Sequence, residues 1–419
     1  MTGSQVSRAS ALGAADRNNT IWVALGLALG PAVVLGLARF AYALLLPSMR
    51  AELHWSLGTA GAMNSANAIG YLAGALATAR LARRYGARRT FLAGLGVTVA
   101  SLLLTATTGD TLVLLSLRAL AGISGAVTFI AGAGLVAAAA AGTGARRSAM
   151  LLGVYFAGGG AGIVISGLSM PALLAAVPAS TGWRWGWVLL GVLGAAALLP
   201  AWLAARASSE PPPPPHHDRR WPARHFVALL GSYALFGAGY IAYMTFIVAF
   251  LHDGGARSGE ITAFWVLLGA AAILGAFCWV RPIARLRGGR GASIVLAAVA
   301  TGAILPLLSR SAPASIASAV LFGGSFLAVV TAVTAVARRS LQPHHWTPAI
   351  AALTVAFAAG QSVGPILAGV LSEGPAGLRV GLGVSGGLLV AAALTALGQR
   401  HLEDRPATIT TALDVSVAE

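Results

Sequence analysis

Lysine is missing altogether: all 28 basic residues are arginine. A phosphate-binding P-loop needs its lysine, so ATP-driven pumping by this chain has no motif to run on. Cysteine is reduced to Cys278 alone, which can neither close an internal disulfide nor furnish a thiolate metal site. Charge is scarce as well, at 10% of 419 residues against roughly 25% in soluble domains. Hydrophobic residues make up 57%, and the mean hydropathy of +0.79 is spread along the whole length. This composition implies an all-α integral membrane protein. At about 35 residues per span and loop there is room for about twelve transmembrane helices.

The apolar runs predict helices near 21–46, 58–78, 90–108, 111–140, 148–175 and 184–204, then 226–251, 261–280, 292–308, 314–336, 348–371 and 380–398. They group into two six-helix bundles, 21–204 and 226–398. Between them lies a linker over 205–225, whose prolines Pro211 to Pro215 forbid helix and favour an extended, solvated chain. Polar tails over 1–20 and 399–419 flank the bundles. Placing both tails in the cytoplasm puts 21 arginines on that side and five on the other, the usual positive-inside bias. The apolar run after the first tail is about 26 residues long, too long for a signal-peptide core. The expectation is a multi-pass protein of the inner (cytoplasmic) membrane with both termini cytoplasmic. Its net charge of +16 is scattered over short loops, so the expected partners are the lipid bilayer and a small solute rather than nucleic acid. A monomer is expected, with no cofactor.

The halves echo each other. Gly30, Gly36, Ala41 and Tyr42 match Gly231, Gly237, Ala242 and Tyr243 at an offset of 201, which sets Tyr240 opposite Arg39; Gly158, Gly162 and Gly167 match Gly360, Gly364 and Gly369 at 202. Such a duplication predicts two pseudo-symmetric bundles that rock about a central site. The glycines also suit close helix packing.

Inside the spans acid is lacking too. All 12 Asp and Glu and all eight His fall in loops, tails or span ends. Two arginines do lie within spans, Arg39 and Arg118, each roughly 10 Å below the same surface. A buried charge costs about 2.5 to 3.5 kcal/mol on insertion scales unless it finds water or a partner. Two cations without a buried counter-charge predict an anionic substrate, held through charge-assisted hydrogen bonds. Candidate polar neighbours are Tyr42, Asn64, Asn67, Tyr240, Tyr243 and Gln361. The alternative for each arginine is structural: snorkelling outward, or locking helices through backbone carbonyls. For the metal chemistry of a membrane enzyme, only His216-His217 and His344-His345 offer themselves, and adjacent histidines lack the spacing that aims two ligands at one ion.

Arg118 and Gly122 opening the fourth helix, and the basic loop Arg83, Arg84, Tyr85, Gly86, Arg88 and Arg89, resemble signatures of the major facilitator superfamily. The stretch from Gly36 through Arg39, Phe40 and Tyr42 to Pro47 and Met49, with Asn67, Gly70, Tyr71 and Gly74, is similar to its YbfB/YjiJ-like branch. That resemblance implies twelve helices, with the first, fourth, seventh and tenth lining a central cavity around Arg39, Arg118, Tyr240 and Tyr243. It also implies a gating role for Arg83, Arg84, Gly86, Arg88 and Arg89. Two departures stand out. Arg83 replaces the usual acidic residue of that loop, and helix 5 lacks the antiporter proline, whereas a Gly364-Pro365 pair occurs in helix 11. The reading that follows is a secondary active transporter of a small organic anion working by alternating access, with drug or metabolite efflux as the alternative and a membrane enzyme or sensor further behind. A proton would have to travel on the substrate or on Glu52 or Glu260.

Overall fold

The computed structural model describes residues 20–178, 180–211 and 221–400. The expected tails and the linker prolines Pro212 to Pro215 lie outside the described residues, as does the His216-His217 pair. Among the described residues twelve long helices follow in order: α1 Thr20–Leu53, α2 Leu57–Tyr85, α3 Ala87–Thr105, α4 Thr111–Ala139, α5 Ala145–Ala176, α6 Gly182–Ala207, α7 Val227–Asp253, α8 Ser258–Cys278, α9 Arg290–Leu308, α10 Ala312–Ser340, α11 Trp346–Leu371 and α12 Leu378–Leu397. No strand occurs among the described residues. Eleven of the twelve are long and apolar enough to cross a membrane by length and composition. The exception, α2, is 29 residues long but carries Asn64, Ser65, Asn67 and three arginines.

Helix starts are set by local chemistry. Ser56 accepts from the Thr59 amide at 3.1 Å ahead of α2, and Asp110 from the Val113 amide at 2.8 Å ahead of α4. These side chains satisfy amides that have no partner within the helix. The basic stretch expected as a loop between α2 and α3 shrinks to Gly86, at φ +83°. Arg83 and Arg84 continue the last turn of α2, and Arg88 and Arg89 open α3. Arginine is a good helix former and reverses no chain, whereas the positive φ is open to glycine at little cost. This turn marks the Arg-rich face of the molecule.

Packing makes the duplication visible. The pairs α2–α4, α3–α4, α3–α6 and α1–α5 recur as α8–α10, α9–α10, α9–α12 and α7–α11. The halves meet along α2–α11, α5–α8 and α1–α7. Glycines set these distances, as membrane helices associate through small residues. An added Cβ on Gly162 would fall 2.1 Å from the Ala32 carbonyl oxygen and 2.8 Å from the Gly36 Cα.

One sequence match is displaced. Gly158 and Gly162 face the carbonyls of Ala28 and Ala32, while Gly360 and Gly364 face those of Ala234 and Ala238. The glycines repeat at 202, but their partners on α1 and α7 repeat at 206. Tyr240 and Tyr243 therefore do not take the packing places of Arg39 and Tyr42. The offset of 201 holds for α2 and α8, where Gly74 meets the Ile123 carbonyl and Gly275 meets that of Gly324. Small residues recur so often in α1 and α7 that sequence matching alone settles on the wrong turn.

Within α1, Ala32–Phe40 is a π-helix, closed by the Ala41 amide on the Gly36 carbonyl at 3.0 Å. No such segment interrupts α7. Arg39 sits in its last turn, and wide turns of this kind concentrate at functional sites.

Candidate functional site

The wide turn of α1 delivers Arg39 to the seam between the halves, where the residue is only 3% exposed. Its Nη2 donates to Gln361 Oε1 on α11 at 2.9 Å, and the guanidinium lies over the Tyr71 ring of α2, 5.4 Å from its centroid. Gln361 is fully buried, and its amide nitrogen donates to Tyr240 Oη on α7. That second bond fixes the amide with its oxygen toward the arginine. Arg39 Nε is buried without a hydrogen-bond partner.

Arg118 is differently placed. Its Nη1 donates to the Ala38 carbonyl, and its Nη2 to Asn64 Oδ1 at 2.8 Å. The rings of Tyr42 and Trp187 lie 5.0 and 5.6 Å from the guanidinium carbon. Asn64 passes the connection across the seam, its Nδ2 donating to Thr245 Oγ1 on α7 at 2.7 Å. Asn67 Nδ2 donates to the Arg118 carbonyl at 3.1 Å, and Tyr42 donates to the Ala60 carbonyl at 2.8 Å. Arg118 thus ties α4 to α1 and α2, the structural alternative weighed for it from sequence.

The eight candidates divide accordingly. Arg39, Gln361 and Tyr240 form one chain across the seam, and Arg118, Asn64, Asn67 and Tyr42 form a second cluster that joins it at the Ala38–Arg39 peptide. Tyr243 belongs to neither: it donates to Ser318 Oγ at 2.7 Å, since that hydroxyl spends its own hydrogen on the Gly302 carbonyl. Three participants escaped the sequence reading: Tyr71, Trp187 and Thr245. Tyr71 had a signal, for Asn64, Asn67 and Tyr71 share one face of α2 at spacings of three and four.

No Asp or Glu is among the buried polar residues described. Glu52 accepts from the Trp183 indole and lies 3.6 Å from Arg184, and Glu260 caps α8 through the Arg257 amide at 2.7 Å, so neither reaches the polar layer. At the Arg-rich face, Glu210 accepts from the Ala87 and Arg88 amides at 2.8 and 3.2 Å, and Arg88 donates to the Ser208 carbonyl. Glu210, beyond the end of α6, thus sets a carboxylate on the amides that open α3. The bond network of this loop ties α3 to the α6 end within one half. At the opposite face Glu373, just past α11, crosses the seam, where it accepts from the Gly58 amide at 3.0 Å. Two cavities, about 350 and 240 Å³, lie near that face, and neither is lined by the polar layer. The described residues hold no cluster of three His, Cys, Asp or Glu fit for a metal ion.

Solved structures share this architecture. A bacterial homologue of the human lysosomal transporter Spinster, inward-facing and unoccupied, aligns with a TM-score of 0.68 at 17% identity, covering 92% of this chain and 98% of its own. The nucleoside transporter NupG aligns at 0.66 and 13% identity, covering 89% and 98%. At such identities the likeness is one of fold. No curated protein matches the sequence. A family model does match, over residues 31–397, and it is described as "Uncharacterised MFS-type transporter YbfB". With the match spanning most of the chain and both six-helix halves, this protein belongs to that family and is a multi-pass membrane transporter of the major facilitator superfamily.

Proposed function

We propose that this transporter carries a small organic anion, with Arg39 as the group that binds its charge. The observation behind this reading is that Arg39 is buried, carries an unpartnered Nε, and rests on the neutral Gln361 rather than on a carboxylate. A guanidinium in a low-dielectric seam is only partly compensated by one amide oxygen and one ring face. An anion would supply the missing charge and accept from the free donor. Gln361 and Tyr240 would orient it, while Arg118 would hold the α1 segment that presents Arg39. Because Arg39 and Gln361 belong to opposite halves, an anion bridging them would draw on both, as alternating access requires. We place the protein in the cytoplasmic membrane as a monomer, with both termini inside.

Uptake of labelled organic acids into proteoliposomes, under separately imposed pH and voltage gradients, tests the reading. Arg39→Ala should abolish saturable uptake, with Arg39→Lys retaining part of it. Unchanged transport by Arg39→Ala, or competition by lipophilic cations in place of acids, would reject the anion assignment.

A further inference from the structure

Beyond the charge, the walls of the same site specify a body for the solute. Along α7, Tyr233, Phe236 and Tyr240 recur at helical spacing on one face, and Phe357 of α11 stacks on all three at 4.6, 5.7 and 5.5 Å with interplanar angles of 8 to 17°. Parallel stacking of this kind offers a flat π surface. Gln361 follows Phe357 by one turn on α11, so ring and amide share a face.

The opposite wall follows from register. Helices α2 and α11 run antiparallel, with Gly61 against the Pro365 carbonyl and Gly369 against that of Leu57. Continuing in equal steps toward the Arg-rich face brings Tyr71 level with the turn that holds Phe357. Both rings are partly exposed there, whereas the residues nearer the opposite face close on each other. Arg39 stands over the Tyr71 ring and bonds Gln361, so it joins the two walls.

We infer that the slot between Tyr71 and Phe357, its walls joined by Arg39 and Gln361, takes an aromatic monocarboxylate, ring between the tyrosine and phenylalanine and carboxylate on the guanidinium. This rests on the anion reading and narrows it. Arg118 spends both Nη atoms on Ala38 and Asn64 and keeps only its buried Nε unpartnered, whereas Arg39 lies over Tyr71 and beside Gln361, so one cation meets the solute, which favours a single negative charge.

Ligand-induced thermal stabilisation of the purified full chain tests it, with benzoate, cyclohexanecarboxylate and benzamide as probes. Benzoate should act at concentrations about three- to tenfold lower than cyclohexanecarboxylate, the range that a ring–ring contact contributes beyond area. Benzamide should not act. Phe357→Leu should erase the difference between the two acids while keeping their binding, and Phe357→Tyr should preserve it. Equal potency of the two acids in the unaltered chain, or a Phe357→Leu variant that still prefers benzoate, overturns the aromatic assignment and leaves the anion reading standing. If neither acid stabilises the chain, or benzamide matches benzoate, both fall together.

Discussion

Replacing Gln361 by glutamate places a carboxylate where the amide oxygen now accepts from Arg39 at 2.9 Å, with almost no change of shape. The second carboxylate oxygen can accept from Tyr240 Oη in place of the present amide–hydroxyl bond. The Arg39 bond already has a charged donor, but the Tyr240 bond passes from a neutral one, about 0.5–1.5 kcal/mol net, to one onto a charged group, about 1.5–3 kcal/mol, so the seam should tighten by about 1–2 kcal/mol. The tethered carboxylate also occupies the guanidinium that a substrate needs, at an effective concentration no free solute approaches. Gln361→Glu should therefore raise the unfolding temperature in detergent by a few degrees and cut organic-acid uptake at least tenfold. Gln361→Ala should leave the temperature unchanged or lowered. A Gln361→Glu variant that transports like the parent chain would refute the placement of the anion on Arg39.

Three further outcomes follow from the packing. Arg118→Ala strands the Ala38 carbonyl and Asn64 Oδ1 and should cost about 1–3 kcal/mol in thermal or chemical unfolding. Arg118→Lys should recover little, because one ammonium cannot span two acceptors and lie flat against Tyr42 and Trp187. Gly162→Leu drives a side chain into the Ala32 carbonyl and the Gly36 Cα; overpacking costs typically about 1–3 kcal/mol, and here backbone stands in the way, so loss of monodisperse protein in size-exclusion chromatography is the expected reading. The Gly58 amide and the Ser56 hydroxyl, with Arg50 nearby, hold the Glu373 carboxyl below its ordinary range. A depressed value means the contact across the seam is complete above that range and is lost as pH falls through the lowered value. Cross-linking between cysteines placed at Gly58 and Glu373's neighbour Ser372, in a Cys278→Ser background, should weaken on acidification; Glu373→Gln should reduce it at neutral pH and remove the pH dependence.

The polar layer was partly legible in the sequence. Arg39 and Arg118 stand out because an ionised side chain in an apolar run is costly and therefore rare. Their roles did not stand out, because role depends on which acceptors lie within about 3 Å, and those come from other helices: Gln361 for Arg39, Ala38 and Asn64 for Arg118. Tyr243 looked equivalent to Tyr42 by spacing, yet it bonds α10 while Tyr42 bonds α2. The five-residue difference between the α1–α7 offset of 201 in the sequence and 206 in the packing stayed hidden for the same reason, since alanines and glycines match one another at almost any offset.

What the linear order of residues settles here is the solvent and the repeat. Hydropathy over the whole length demands spans that satisfy their own backbone hydrogen bonds, and helices are the form that such runs take in lipid. What the assembled helices settle is partnership. The carbonyl-to-glycine approaches and the facing of Arg39 by Gln361 arise only when segments dozens to hundreds of positions apart pack together. Hydrogen bonds and ring stacks act over a few ångströms of space, a distance that separation along the chain does not encode.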